Sequence, residues 1–371
     1  MVFKKKQASA EEKKGKTPKN QRVIIDVGTH SAKVLSAAYS KGSVIINQAE
    51  TIKGIDRFMD ENTLVMTDPL AEEVARAIGI NNPKKKLPAT LLISSPHSGS
   101  AVFKVPDDQK KKAKKYIFQH LDAMTLDDIN YNTDYTNLGN QYYLVAFVPS
   151  DLARELVLSF QKTGFNITAI DAASSALIYL SNLYKDDEFE TKIFLGIGYR
   201  SSEILVEHQE HYVKFEKIPL GVFQMAEEVS DSLGVPFAQT INLFFKLGLN
   251  KNSLPSNAGE LLDEFNVTES EYSSAVHSQT DSFIGAILEG IRVEGVTLKA
   301  SSSKIILLGG GSLIKGVGDI LHENANVTTA PFDLVSSIRA GSLRVVNDTN
   351  RKIDGLFSHA VGLALREVFG K

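Results

Sequence analysis

The sequence contains no cysteine in 371 residues. Disulfides, thiol catalysis and thiolate metal sites are therefore excluded together. It has no apolar run of membrane-spanning length, and the charges at its amino-terminus are not followed by the apolar core of a signal peptide. A cytoplasmic, soluble chain is the expectation. No serine sits in a nucleophile elbow, and no paired acid and base stand out. The formal net charge of −3 argues against wholesale nucleic-acid binding.

With 43% apolar residues the chain buries a large core, in two or three domains or one bilobed molecule. Its charge is uneven. Lys4, Lys5, Lys6, Lys13, Lys14, Lys16, Lys19 and Arg22 crowd the first segment. That segment reads as a disordered, solvated leader, with attraction to anionic lipid or an acidic partner as the alternative. The later runs Lys84 to Lys86 and Lys110 to Lys115 have no aromatics interleaved for stacking on bases, so they read as solvated faces.

Order begins at Val23-Ile24-Ile25-Asp26-Val27, a β-branched run closed by Gly28, followed by strands over Lys33 to Ala38 and Ser43 to Asn47. Leu70, Val74 and Ile78 recur at helical spacing before a break at Pro83 to Pro88. From Ala89 to Phe165 the pattern predicts a compact α/β insert: two strands, a Lys-rich helix, a Tyr/Asn/Asp-rich turn region, strand Tyr142 to Val148, and a helix carrying Leu152, Leu156 and Phe160. Strand Ile167 to Ile170 and an Ala-rich helix over Ala172 to Leu183 return to the first domain. A second half then opens on a near-repeat. Laying Phe194 to Leu205 over Ile24 to Leu35 matches Gly198 to Gly28, Ser201 to Ser31 and Leu205 to Leu35. The same hairpin occurring twice points to a duplicated domain. Two helices follow, the second opened by Pro236, then a polar loop over Asn250 to Ala258 and a long helix with Phe283, Ile287 and Ile291 on one stripe. Strand Lys304 to Leu308 runs into Gly309-Gly310-Gly311-Ser312 and a helix ending before Asn324. The last helix spans Gly355 to Phe369 with small residues Ala360, Gly362 and Ala364.

Three successive glycines at a helix start let bare backbone N–H groups face a phosphate, or let a flat ring come close, although a tight crossover with no ligand is the alternative. The spacing is not that of a dinucleotide fingerprint, and no Gly-Lys-Ser/Thr follows to make a P-loop. The first hairpin offers Asp26, Gly28, Thr29, Ser31 and Lys33. Together these can hold a hydrated metal at Asp26, donate hydrogen bonds to a phosphate and neutralise it with an ammonium. Taken alone, Asp26 caps a turn and Lys33 is solvated. His208 and His211 flank a predicted strand turn but lack a third metal ligand.

Asp26-x-Gly28-Thr29-x-Ser31-x-Lys33 resembles the first phosphate loop of the actin, heat-shock-protein and sugar-kinase superfold, Gly198 to Ser202 resembles the second, and Leu308 to Gly316 resembles its adenosine motif, all in the right order. The insert, the following Ile170-Asp171 and the terminal helix around Ala360 to Arg366 are similar to the PilM family of type IV pilus assembly proteins, whose insert is shared with FtsA-like division proteins. The resemblance implies an α/β, actin-like (ribonuclease H-like) two-lobed fold with an FtsA/PilM-type inserted subdomain. It divides the chain into a tail over 1–22, a first lobe over 23–88, 166–190 and 332–371, the insert over 89–165, a second lobe over 191–214 and 268–331, and an outer subdomain over 215–267.

It also implies ATP with Mg2+ in the cleft, held by Asp26, Gly28, Thr29, Ser31, Lys33, Gly198, Ser201, Ser202, Lys246, Gly309, Gly310, Gly311 and Ser312. Two departures weaken that site. The second loop has Gly196 where the family places a carboxylate, and the interlobe helix has Leu243 where the family places an acid before Lys246. Loss of one carboxylate costs about ten- to a hundredfold in metal affinity, so hydrolysis is expected to be feeble or absent. The family's partner is the cytoplasmic tail of a bitopic PilN-like membrane protein. The implied role is an assembly adaptor, peripheral to the membrane through that partner, without nucleic acid and with room for a homo-oligomer. An FtsA-like filament-forming division protein is the first alternative, disfavoured because the chain ends at Lys371 directly after its last domain helix. An active ATPase of the same superfold is the second.

Overall fold

In Val23-Ile24-Ile25-Asp26-Val27 the odd positions and the even positions face different cores. The computed structural model describes residues 20–60, 63–93, 98–121, 124–126, 128–184, 188–249, 254–335 and 337–369. The basic tail through Lys19 lies outside them, as do 185–187 and part of the loop predicted over 250–258.

The chain opens on a meander, β1 (Gln21–Val27), β2 (Ser31–Ser40) and β3 (Ser43–Lys53), followed by the short ribbon β4 (Met59–Asp60) and β5 (Thr63–Leu64), α1 (Thr67–Ala77) and β6 (Leu87–Ile93). The insert contributes β7 (Gly99–Lys104), α2 (Ala113–Leu121), β8 (Tyr131–Gly139), β9 (Tyr142–Pro149) and α3 (Ser150–Lys162), after which come β10 (Phe165–Asp171) and α4 (Ala173–Ser181). The second half is β11 (Thr191–Ile197), β12 (Ser202–His208), β13 (His211–Ile218), α5 (Val222–Leu233), α6 (Phe237–Leu247), α7 (Ala258–Asp263), α8 (Glu269–Gly290), β14 (Ser303–Leu308), α9 (Val317–Ala325) and β15 (Thr328–Pro331). The chain returns through β16 (Asp333–Leu334), β17 (Ser337–Ala340), β18 (Leu343–Asn347), β19 (Ile353–Asp354) and α10 (Ser358–Phe369).

Two large mixed sheets result. One is ordered β10-β6-β1-β2-β3-β18-β17 and the other β13-β12-β11-β14-β15, while β7-β9-β8 form a separate three-stranded sheet. Both large sheets are built alike, with an antiparallel hairpin (β1/β2, β11/β12) whose first strand pairs in parallel with a later one (β6, β14). The duplication holds residue for residue, since Ile24 pairs with Leu35 as Phe194 pairs with Leu205.

Strand alternation sorts the cores. Val23, Ile25 and Val27 pack on α1 and α3 outside the first sheet, and Ile193, Leu195 and Ile197 pack on α5, α6 and α8 outside the second. Ile24, Leu35, Phe194 and Leu205 face inward onto α4 and α10, which lie between the sheets. Asp26 and Gly196 are one step further along those inward faces, at the strand ends. The fold thus aims both hairpin ends at one place.

Three sequence expectations are corrected. The Tyr/Asn/Asp-rich region is strand β8, because Tyr131, Thr133 and Tyr135 lie half-buried while Asn132, Asp134 and Thr136 are exposed, a one-sided alternation that composition disguised. The helix predicted to end before Asn324 continues to Ala325 and stops at Asn326, which takes the left-handed conformation at φ 51°. The stretch between 332 and 354, read without elements, supplies β18, which pairs in parallel with β3 and extends the first sheet. The divisions drawn at 88/89 and 214/215 pass through β6 and β13.

Candidate functional site: the cleft between the sheets

Each hairpin turn is closed by the same backbone bond. The Gly28 N–H donates to the Ser31 carbonyl at 3.2 Å, and the Gly198 N–H to the Ser201 carbonyl at 3.0 Å. A side chain at either glycine would crowd that carbonyl, with a β-carbon 3.0 Å from Ser31 O or 2.5 Å from Ser201 O. The second turn is fixed further by the start of α5, where the Val222 and Phe223 N–H groups donate to the Gly198 and Tyr199 carbonyls at 3.1 and 2.7 Å. The turns meet at their tips, where the His30 and Tyr199 rings stack with centroids 4.4 Å apart. Burial lowers the His30 pKa below its ordinary value, the Asp56 carboxylate opposing the shift.

Below the tips lies a cleft of about 460 Å³. The first sheet lines it with Asp26, Gly28, Thr29, Ser31, Lys33, Thr51 and Lys53; the second hairpin with Gly196, Gly198, Arg200, Ser201 and Glu203; the loop after β14 with Gly309, Gly310, Gly311 and Leu313; α6 with Ile241, Asn242 and Phe245; and α10 with His359. Gly28, Gly198 and Gly310 therefore surround one hollow. Phe245 and Leu313 stay 41% and 40% exposed, offering apolar faces at its wall.

Three predicted residues are not among those lining the cleft. The Ser202 hydroxyl is buried and donates to the Leu220 carbonyl at 2.8 Å. The Ser312 hydroxyl turns back onto the Gly309 carbonyl at 2.6 Å, tying the glycine loop shut. Lys246 is exposed on α6, and its carbonyl accepts from the Lys315 ammonium at 3.3 Å. Leu243, where an acid was expected, is buried in the core beside α5 and α8.

Sequence reasoning missed Lys53, Arg200, Asn242, Glu203 and His359. Glu203 was legible, because the repeat that puts Gly198 over Gly28 also puts Glu203 over Lys33. Nothing in the sequence placed His359 there, since the approach of the last helix is a tertiary event. Its Nε2 lies 2.9 Å from Glu203 Oε2, with both side chains close to nine-tenths buried. Burial pulls the His359 pKa down and the Glu203 pKa up, but their mutual attraction outweighs it, so the imidazole is raised and the carboxyl lowered.

The donor set does not fit a divalent cation gripped by paired carboxylates. Asp26 is present, Gly196 offers nothing, and Glu203 is committed to His359. Among the described residues no three His, Cys, Asp or Glu side chains converge on a metal position. His208 and His211 have separate partners, Thr191 and Asn140.

A second hollow of about 400 Å³ lies between the three-stranded sheet and the first lobe. Asn132, Asp134 and Thr136 of β8 form one side, and Asp171, Tyr179 and Arg366 the other. Asp171 and Arg366 are paired at 3.0 Å. Glu203 lines this groove as well as the cleft.

No family model matches the chain and no curated protein is similar to it in sequence. Solved structures are similar in fold. The PilM-PilN type IV pilus biogenesis complex matches with a TM-score of 0.69 at 15% identity, covering 95% of this chain and 99% of that one. Ethanolamine utilization protein EutJ from Carboxydothermus hydrogenoformans matches at 0.52 and 11% identity, over 94% and 90% of the two chains. MreB 5 of Spiroplasma citri bound to AMPPNP matches at 0.51 and 10%, over 95% and 97%. The fold is the actin-like ATPase fold, and the likeness to PilM read from the sequence is found in three dimensions as a shared fold.

Proposed function

We propose that the chain is a PilM-type assembly adaptor of a type IV pilus or a related machine. It holds ATP in the cleft between its lobes and seats the cytoplasmic tail of a bitopic, PilN-like membrane protein in the groove beside β8, which brings it to the cytoplasmic membrane through that partner. The observation that carries this reading is the pair of hollows: one ringed by Gly28, Gly198 and Gly310, the other between β8 and the first lobe. In the cleft, Ile241, Phe245 and Leu313 suit the faces of a base, and Thr29, Ser31, Ser201 and Lys33 suit its phosphates. Hydrolysis is feeble or absent, because water activation at a bound metal lacks the carboxylate that Gly196 replaces. The reading carries the division into lobe, insert, lobe and outer subdomain, with boundaries at the ends of β6 and β13. No helix of the described residues is long and apolar enough to cross a membrane.

The experiment is a fluorescence titration of the full chain with labelled peptides covering the cytoplasmic tails of bitopic proteins encoded beside it. One tail binds saturably. Asp134→Lys, an exposed change on β8, weakens it about tenfold or more by reversing a charge at the groove wall. Absence of any bound tail, together with filaments that form on lipid, replaces this reading with the FtsA-like one.

A further inference from the structure

The second hairpin repeats the first except in its charges. Asp26 and Lys33 are cross-strand partners in the first; the same positions in the second are Gly196 and Glu203. A β-carbon built on Gly196 lies 3.2 Å from His359 Cε1 and 3.6 Å from its Nε2. The room that a carboxylate on β11 requires is thus taken by an imidazole from the first turn of α10. That imidazole is fixed on both sides, by Glu203 at 2.9 Å and by the Ser358 hydroxyl at 3.5 Å. The Ser358 hydroxyl in turn accepts from the Gly309 N–H at 3.3 Å, so the arrangement is tied into the glycine loop.

This substitution changes the balance of the cleft. Its lining holds three permanent cations, Lys33, Lys53 and Arg200, against two carboxylates, Asp26 and Glu203. The excess is positive before His359 is counted, and a carboxylate at position 196 would cancel it. A polyphosphate entering a wall rich in carboxylates needs a divalent ion between the like charges. One entering this wall meets opposite charge directly.

We propose that this cleft takes up a nucleoside polyphosphate without a divalent cation, the Glu203–His359 pair occupying the space that the metal-ordering carboxylate would need. The inference rests on the nucleotide reading given above and deepens it. It also gives Glu203 a definite part: it holds the imidazole in place and is not a ligand for metal-bound water.

The test is calorimetric titration of the full chain with ATP, once in excess magnesium and once in EDTA. The two affinities agree within about threefold, a difference under 1 kcal/mol. Glu203→Gln/His359→Gln removes one negative and one positive charge together and so leaves the cationic excess of the wall unchanged, holding ATP affinity in EDTA within about threefold, whereas Lys33→Ala weakens it by about tenfold or more, the effect of losing a charge-assisted contact. Gly196→Asp/His359→Ala restores the carboxylate with room to stand, and ATP binding then requires magnesium; if that variant does not fold, the wild-type comparison decides. ATP bound only with magnesium, with the requirement abolished by Glu203→Gln, makes Glu203 the missing metal partner and overturns the inference while leaving the nucleotide reading intact. ATP bound in neither condition removes the nucleotide reading, and this inference with it.

Discussion

Gly309, Gly310 and Gly311 look equivalent in sequence and are not. Gly309 has φ 76°, and a β-carbon there would collide with the Ile197 carbonyl; one on Gly311 would run into the Ile197 side chain and lie 2.9 Å from Val222 Cγ2. Only at Gly310 would a β-carbon be accommodated, its nearest neighbour being Leu356 Cδ1 at 3.4 Å. Two of the three are therefore explained by packing, and the third by what approaches from the cleft. The Glu203–His359 pair is the other feature at this scale, and its charge has a pH signature. The His359 pKa is raised from 6.5, so its contribution to stability is full below that value and is lost as pH rises through the raised one. The Glu203 pKa is lowered from 4.5, so its contribution is full above that value and is lost as pH falls through the lowered one. Asp26 and Lys33 also face the imidazole, and Lys33 and Lys217 the carboxylate, but with opposed effects on the ring. His359→Gln leaves Glu203 buried without its cation, at a cost of about 3 kcal/mol. Denaturant midpoints should show the largest gap between wild type and variant in mildly acidic solution, closing as the pH rises through the raised His359 pKa and the wild-type imidazole loses its charge.

Among elements, α4 and α10, the two helices between the sheets, approach closely at Gly362. A β-carbon on Gly362 would lie 2.7 Å from the Ala176 carbonyl carbon and nearer still to its oxygen. Helices this close require a bare Cα, and backbone cannot step aside as a side-chain end can. Gly362→Ala should therefore lower stability by about 3 kcal/mol despite its better helix propensity, a loss read as a lower melting temperature. By contrast Gly285, open to solvent space on α8, tolerates alanine. The small residues of the last helix were legible in the sequence; the reason for them, a backbone 186 positions earlier in the chain, was not. Elements were readable where one face is continuously apolar, as in β1 and α3, and unreadable where it is not. β8 is an edge strand with a tyrosine face, and β16 to β19 are short pieces whose pairing partners lie across the molecule.

At the scale of the whole molecule, the duplication carried the sequence reading, because a hairpin turn with Gly and Ser constrains its own residues and so repeats visibly. What lies between the copies is fixed by tertiary approach and left weaker traces: Gly28, Gly198 and Gly310 line the cleft, while Ser202, Lys246 and Ser312 are not among its lining residues. The same arrangement links the two hollows. Glu203 stands in the wall common to both, with Lys33 and His359 on the cleft side and Lys217 on the groove side. A polyphosphate drawing on Lys33 and His359 alters the field at Glu203, and a tail seated against Lys217 alters it from the other face. Two ligands that bias one buried group are coupled, and the coupling is reciprocal. ATP should therefore change the affinity of the tail peptide by about fivefold or more, and the peptide should change the affinity of ATP by the same factor. Glu203→Gln removes the shared charge, so the two titrations on that variant should become independent even where each ligand still binds. Equal factors in wild type that persist undiminished in Glu203→Gln would place the link in rigid movement of the lobes and not in this residue.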